Sequence, residues 1–179
     1  MGTRHLPYWP PVPRQLTPPA TSLWFNLVVT ATRFPSKPCI QLYDSTLTFA
    51  DVRREAERLA GYLSRVCGVR RGDRVALYLQ NSPQFIIAYY AILRADAMVV
   101  PINPMNLTRE VGHIVDDSAA RVLIVAQDQL PRVASLVGAS ALRHLVVACY
   151  GDYLTAPTEL DVPGWVRAPR RAHAGPGVA

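Results

Sequence analysis

Apolar and polar positions follow two rhythms along this chain, and the switches between them mark its elements. The clearest stretch is residues 68–103, GVRRGDRVALYLQNSPQFIIAYYAILRADAMVVPIN. Its RVALYL run (74–79) is continuously apolar after the arginine, as in a strand buried on both faces. Ser82 then stands where a helix N-cap belongs. Pro83 takes the first helical position, where a missing N–H costs nothing. The helix this predicts runs to about Arg94 and is apolar nearly all round, so it is expected to be sandwiched. Residues 98–102 read as the next strand, completing a β-α-β unit.

The same reading extends in both directions. Residues 1–20 carry six prolines and little periodicity, and predict an extended arm. Residues 21–33 predict a helix with Leu23, Leu27, Val28 and Ala31 on one face. Residues 39–49 predict a hairpin, with strands 40–43 and 46–49 about an Asp44–Ser45 turn. The cleanest amphipathic helix is 51–67, with Val52, Ala56, Leu59, Ala60, Leu63 and Val66 in one stripe. Thr48 and Asp51 have capping-box spacing, and Gly68 suits the left-handed conformation just past the end. Thr108 is expected to cap a short helix reaching Val115, and 121–125 to form a strand. Asp128 is expected to cap a helix with Pro131 in its first turn, and 142–149 to form the last strand. Strands alternating with helices imply an α/β fold: a partial doubly wound, mainly parallel sheet with flanking helices and right-handed crossovers. After Tyr150 the pattern ends. Pro157, Pro163, Pro169 and Pro176 punctuate an irregular, truncated tail expected to lack a packing surface. The expected organisation is therefore an arm (1–20), an α/β subdomain (21–150) and a tail (151–179), with no internal repeat.

Composition narrows the function classes. A chain of 179 residues, 50% apolar and 18% charged, can bury a real core. The net charge of +6 is not organised for nucleic acid. Arg53–Arg54, Arg70–Arg71 and Arg170–Arg171 are isolated pairs with no interleaved aromatics. Chemistry that needs a lysine has one candidate, Lys37, in a loop-like stretch without a glycine-rich partner. Cys39, Cys67 and Cys149 have no CxxC spacing and suggest buried thiols in a reducing compartment rather than disulfides or zinc. Arg4 and His5 are followed by prolines instead of an apolar leader. The longest apolar run, 85–93, is far short of the ~20 residues of a membrane span, so a cytoplasmic protein is expected.

Candidate chemistry is sparse. His113 with Asp116 and Asp117 could bind a metal or move protons, but a polar helix face is the preferred reading because no further ligand is suitably spaced. His5, His144 and His173 are dispersed, His144 in or beside a strand. Ser82 has no G-x-S-x-G elbow and reads as a cap. Cys67, at a helix end, is either a reactive thiol or a small core residue, the latter preferred. Phe85, Tyr89 and Tyr90 could line an acyl pocket or simply pack. Residues 103–106 (NPMN), beyond a strand's carboxyl end, lie where open α/β sheets bind ligands, though turn chemistry also explains them. No GxxxxGK or GxGxxG occurs. Gly175-Pro176-Gly177 comes nearest, in a terminal segment.

Five motifs in order carry a family resemblance over residues 20–155. Leu47-Thr48-Phe49-Ala50-Asp51-Val52, Gly72-Asp73-Arg74-Val75-Ala76 and Asn81-Ser82-Pro83 are the first three. Ala91 to Ala95 leading into Val99-Val100-Pro101-Ile102-Asn103-Pro104 is the fourth, and Asn106-Leu107-Thr108 with Asp117-Ser118-Ala119-Ala120 the fifth. Together they resemble the opening domain of the AMP-forming acyl-CoA synthetases, the long- or medium-chain fatty-acid–CoA ligases most of all. Asp96 stands where that family usually has Gly, a substitution a tight turn tolerates moderately. The resemblance implies ATP, Mg²⁺ and CoA as cofactors, fatty acid as substrate, and no nucleic-acid partner or transmembrane segment. It also implies that the phosphate loop with its lysine, the acidic Mg²⁺ ligand, the ribose-binding aspartate and the C-terminal catalytic lysine lie beyond Ala179. On that basis no catalytic, cofactor-binding or metal residue is assigned here, and the isolated chain is expected to be inactive. The alternative from another class is a non-catalytic module that docks onto a separately encoded remainder.

Overall fold

The structure, a computed structural model, describes residues 17–175, 177 and 178. Most of the expected proline-rich arm, residues 1–16, lies outside the described residues, and residues 17–20 are exposed without regular structure. The elements in chain order are α1 (Leu23–Arg33), β1 (Pro38–Leu42), β2 (Ser45–Thr48), α2 (Phe49–Arg65), β3 (Arg74–Tyr78) and α3 (Pro83–Arg94). They continue with β4 (Met98–Pro101), α4 (Thr108–Ser118), β5 (Val122–Ala126), α5 (Leu130–Val133), β6 (His144–Ala148) and α6 (Gly164–Arg167). No helix among the described residues is long and apolar enough to cross a membrane.

The main sheet is wholly parallel, in the order β4-β3-β5-β6. Central β3 pairs Leu77 with Pro101 on one side and with Ile124 on the other. Pro101 is tolerated because β4 is an edge strand that needs no second ladder. Side chains of β3 and β5 alternate between two cores. Val75, Leu77, Val122 and Ile124 meet Val52, Ala56, Leu63, Ile87, Ala91 and Ile92 of α2 and α3. Ala76, Tyr78, Leu123 and Val125 meet Val111, Val115 and Val133 of α4 and α5 on the opposite face. This is the expected doubly wound arrangement. The β1–β2 hairpin forms a separate two-stranded sheet.

Local signals set several boundaries as expected. Ser82 Oγ accepts the Phe85 N–H at 3.2 Å, with Pro83 in the first turn of α3. At the start of α2, Thr48 Oγ1 accepts the Asp51 N–H at 3.2 Å, and Asp51 Oδ2 accepts the Thr48 N–H at 3.0 Å. The Thr48 hydroxyl, then the Thr48 N–H, hold the Asp51 carboxyl below its usual range. Gly68 takes φ 68° just past α2.

Other expectations are corrected. The hairpin turn is Tyr43–Asp44, since Leu42 pairs with Ser45. Ser45 belongs to the strand because its hydroxyl is needed there: it accepts the N–H groups of Thr155 at 2.9 Å and Ala156 at 3.0 Å. Leu23 and Val66 are both 54% exposed. α1 buries Leu27 and Ala31 instead, and α2 ends at Arg65, so that Cys67 turns inward in place of Val66. Thr108 is the first helical residue of α4 rather than its cap, and the Glu110 carboxylate accepts the Leu107 N–H at 2.7 Å. Asp128 does not cap α5: Gln129 holds that position, and the helix has only four residues. Apart from α6, residues 151–175 are largely irregular, yet they have a packing surface. Val162 and Val166 join the α2–α3 core, and Gly177 O accepts the Leu145 N–H at 2.7 Å beside β6.

Candidate functional site

In a doubly wound sheet the natural ligand crevice opens where the strand order reverses, at the carboxyl ends of β3 and β5. Here the chain fills it. Tyr150, following β6, is 4% exposed, and its hydroxyl accepts the Gln80 N–H at 2.8 Å just beyond β3. Burial pushes the Tyr150 phenol up to about 12, against the opposing pull of the Gln80 N–H. Trp165 packs edge-on against the Tyr150 ring at 5.2 Å. Two buried glutamines fasten the surrounding segment. Gln84 Nε2 donates to Cys149 O at 2.5 Å, and Gln127 Nε2 donates to Pro169 O at 3.0 Å. These residues do not fit ATP or Mg²⁺. The Gln80 N–H is engaged, Ser82 serves its own helix, and no cluster of three or more metal-ligating side chains occurs among the described residues.

A second feature is open. A groove of about 330 Å³ runs between α2 and β6 on the α2–α3 face. Leu59, Ile87, Ile124, Val146 and Ala148 supply apolar walls. Its rim alternates in charge: Arg58 donates to Glu55 at 3.0 Å, and Arg170 pairs with Asp152. Burial, reinforced by Glu55 and Asp152, pushes the Tyr153 phenol at its side up to about 12.

The family profile described as AMP-binding enzyme matches residues 27–170, well over half the chain. The chain belongs to the AMP-binding enzyme family. Its curated relatives include a long-chain-fatty-acid–CoA ligase of Bacillus subtilis, 33% identical over 152 residues, which are 85% of this chain and 27% of that protein. Among solved structures it is similar to an anthranilate CoA ligase in complex with anthranoyl-AMP. That match has a TM-score of 0.69 and 31% identity, and covers 78% of this chain and 27% of the other. It is also similar to a long-chain-fatty-acid-CoA ligase from Archaeoglobus fulgidus, with a TM-score of 0.67 and 27% identity, covering 75% of this chain and 28% of the other. The chain thus spans about a quarter of the length of these relatives.

The candidates named from sequence are not brought together in this family member. His113, Asp116 and Asp117 are exposed on α4, and Asp116 Oδ1 accepts the Ala141 N–H at 2.8 Å. Cys67 is buried, which pushes its thiol up and away from thiolate chemistry. Cys39 is half-buried, its thiol pushed up by the same cause, and Cys149 is buried. Phe85 and Tyr89 stack at 6.4 Å and Tyr90 meets Tyr89 edge-on at 6.0 Å, all three half-buried against the core. Lys37 lies 5.8 Å from the Phe34 ring centroid. His144 opens β6. His173 lies near Gln127 and Val147 at the carboxyl end of the sheet, away from His113, while His5 and Pro176 fall outside the described residues. The 103–106 loop is held by β3: the Tyr78 hydroxyl donates to Asn106 O at 2.6 Å, and Asn103 Oδ1 accepts the Met105 N–H at 2.9 Å. The α2–β6 groove was missed by sequence reasoning. Its one sequence signal is that Val146 and Ala148 continue a buried-strand pattern with no helix assigned to cover them.

Proposed function

We propose that this chain is an α/β portion of an AMP-forming fatty-acid–CoA ligase. The whole polypeptide would convert a carboxylic acid to acyl-AMP and then to acyl-CoA, while the 179-residue chain alone would do neither. The carrying observation is the family match over residues 27–170 in a chain that spans 27% of its Bacillus subtilis relative. The chemistry supports the second half. Attack of a carboxylate on the α-phosphate of ATP gathers anions that Mg²⁺, backbone N–H groups and a cation must neutralise. The only lysine is Lys37, over Phe34, and the crevice N–H of Gln80 is already bonded. The test is pyrophosphate release by the purified chain with ATP, Mg²⁺, CoA and laurate. No release above the blank is expected, and turnover that depends on laurate would overturn the reading.

A second reading is favoured by the open α2–β6 groove. In it the chain is a non-catalytic subunit that docks onto a separately encoded remainder. It predicts poor solubility alone and rescue by co-expression with the rest of a ligase.

A further inference from the structure

A parallel sheet is stable with both faces covered. This one is covered unevenly. Over β3 and β5 the α2–α3 face is dry: Leu77 is fully buried and Ile124 is 2% exposed. Over β6 the same face is half open, since Val146 and Ala148 are only partly buried and border the groove. The hand of the crossovers says what cannot close it. The step from β3 to β4 carries α3 on this face, whereas the steps from β4 to β5 and from β5 to β6 run the other way and carry α4 and α5 on the opposite face. Right-handed crossovers would place the helix of any further outward step with α4 and α5 too. The groove therefore needs an occupant that is not the next crossover of this sheet.

Two details describe the occupant. The floor is apolar while the rim carries Glu55, Arg58, Asp152 and Arg170, which suits a segment with an apolar stripe flanked by both charge signs. Gln84, 8% exposed, lines the groove, and its Oε1 is buried with no hydrogen-bond partner among the described residues. An acceptor left in this state costs stability until a donor reaches it.

We propose that the α2–β6 groove is the seat of an amphipathic segment from the part of the ligase that this chain does not span. This rests on the ligase reading above, and on relatives of which the chain covers 27%. The segment lays its apolar stripe on Leu59, Val146 and Ala148 and sets its charges against the rim.

The test mixes the 179-residue chain with the separately purified remainder of the Bacillus subtilis ligase, the part outside the aligned region. Calorimetry reads affinity, and hydrogen exchange reads the footprint. Binding is expected, with protection concentrated at residues 146–148 and along α2. Val146→Asp and Leu59→Glu should each weaken binding on the order of tenfold or more, because each drives a carboxylate into a closing apolar contact. Met98→Glu, on the opposite edge strand, should leave it unchanged. Circular dichroism identifies any variant that unfolds, and the wild-type footprint needs no variant. Binding whose footprint lies elsewhere, or that both groove variants leave intact, overturns the inference while the ligase reading stands. No binding by the wild-type chain also overturns the inference, while the ligase reading is decided separately by the laurate assay. A wild-type dimer that Val146→Asp dissociates gives the face to a second copy and also overturns the inference.

Discussion

The β3–α3–β4 unit and the 150–175 segment are both packed, but by opposite means. In the first, cohesion is continuous: β3 is buried on both faces and α3 buries Ile87, Ala88, Ala91 and Ile92 between the sheet and α2. In the second, it is discontinuous. Tyr150, Val162 and Val166 reach the core one at a time, and polar atoms far apart in sequence fasten the rest: Ser45 to residues 155 and 156, Gln80 to Tyr150, and Gln127 to Pro169. Continuous apolar burial makes one cooperative unit. Isolated pins make a region that opens on its own when one is removed.

Core truncation in the first region should show the largest effect. Leu77 is fully buried at the centre of the sheet, and Leu77→Ala should cost about 2–5 kcal/mol and lower the single unfolding transition of the whole chain. Removal of a pin should cost less and act locally. Ser45→Ala removes the acceptor of the Thr155 and Ala156 N–H groups, which water can partly replace, for about 0.5–1.5 kcal/mol. Limited proteolysis should then cut within residues 154–162 while the far-ultraviolet circular dichroism stays unchanged. Equal loss of all structure in both variants would show that the two regions are one cooperative unit.

This contrast also explains what the sequence made legible. The strand at 74–79, the Ser82–Pro83 start and the Thr48–Asp51 box are local signals, and the structure keeps them. Errors came where a distant partner decides. Ser45 reads as a turn residue until residues 155 and 156 need its hydroxyl, and Val66 reads as core until Gly68 turns the chain and Cys67 inward. The tail has no period because its anchors do not repeat. In position the crevice was only half legible: the sequence pointed to residues 103–106 beyond β4, while the strand order sets it between β3 and β5. Its plugging by Tyr150 was not legible, because no local pattern links residue 150 to residue 80.

The phenol of that plug gives the contrast a pH axis. Tyr150 is raised from its usual value of 10 to about 12 in the folded state, so folding favours its neutral form. Its contribution is fully present below about pH 10, the unfolded value, and is lost as pH rises from there towards 12. Alkaline titration followed by Trp165 fluorescence should report release of the tail in that window, before the main sheet unfolds. Tyr150→Phe should flatten this alkaline step. An unchanged step would assign it to another phenol, Tyr153 first, because that group is shifted in the same direction.

The smallest expected effects lie in the continuous region and in α4 beside it, and carry the opposite sign. Ala119 ends α4 at φ 51°, and Asp96 turns the chain between α3 and β4 at φ 56°. A left-handed residue with a Cβ pays about 1–2 kcal/mol in steric strain, less for Asp, whose side chain tolerates that region. Ala119→Gly should therefore stabilise the chain by about 1 kcal/mol, offset in part by the greater freedom of glycine in the unfolded state. Asp96→Gly should give a smaller gain for the same reason, at the turn where Asp96 O accepts the Gly72 N–H at 2.8 Å. Both lie in the cooperative unit, so each gain should appear as a higher midpoint of the global transition. Local protease sensitivity within 154–162 should stay as it is, because neither residue touches a pin. A gain confined to the tail would mean that the two regions share strain as well as contacts.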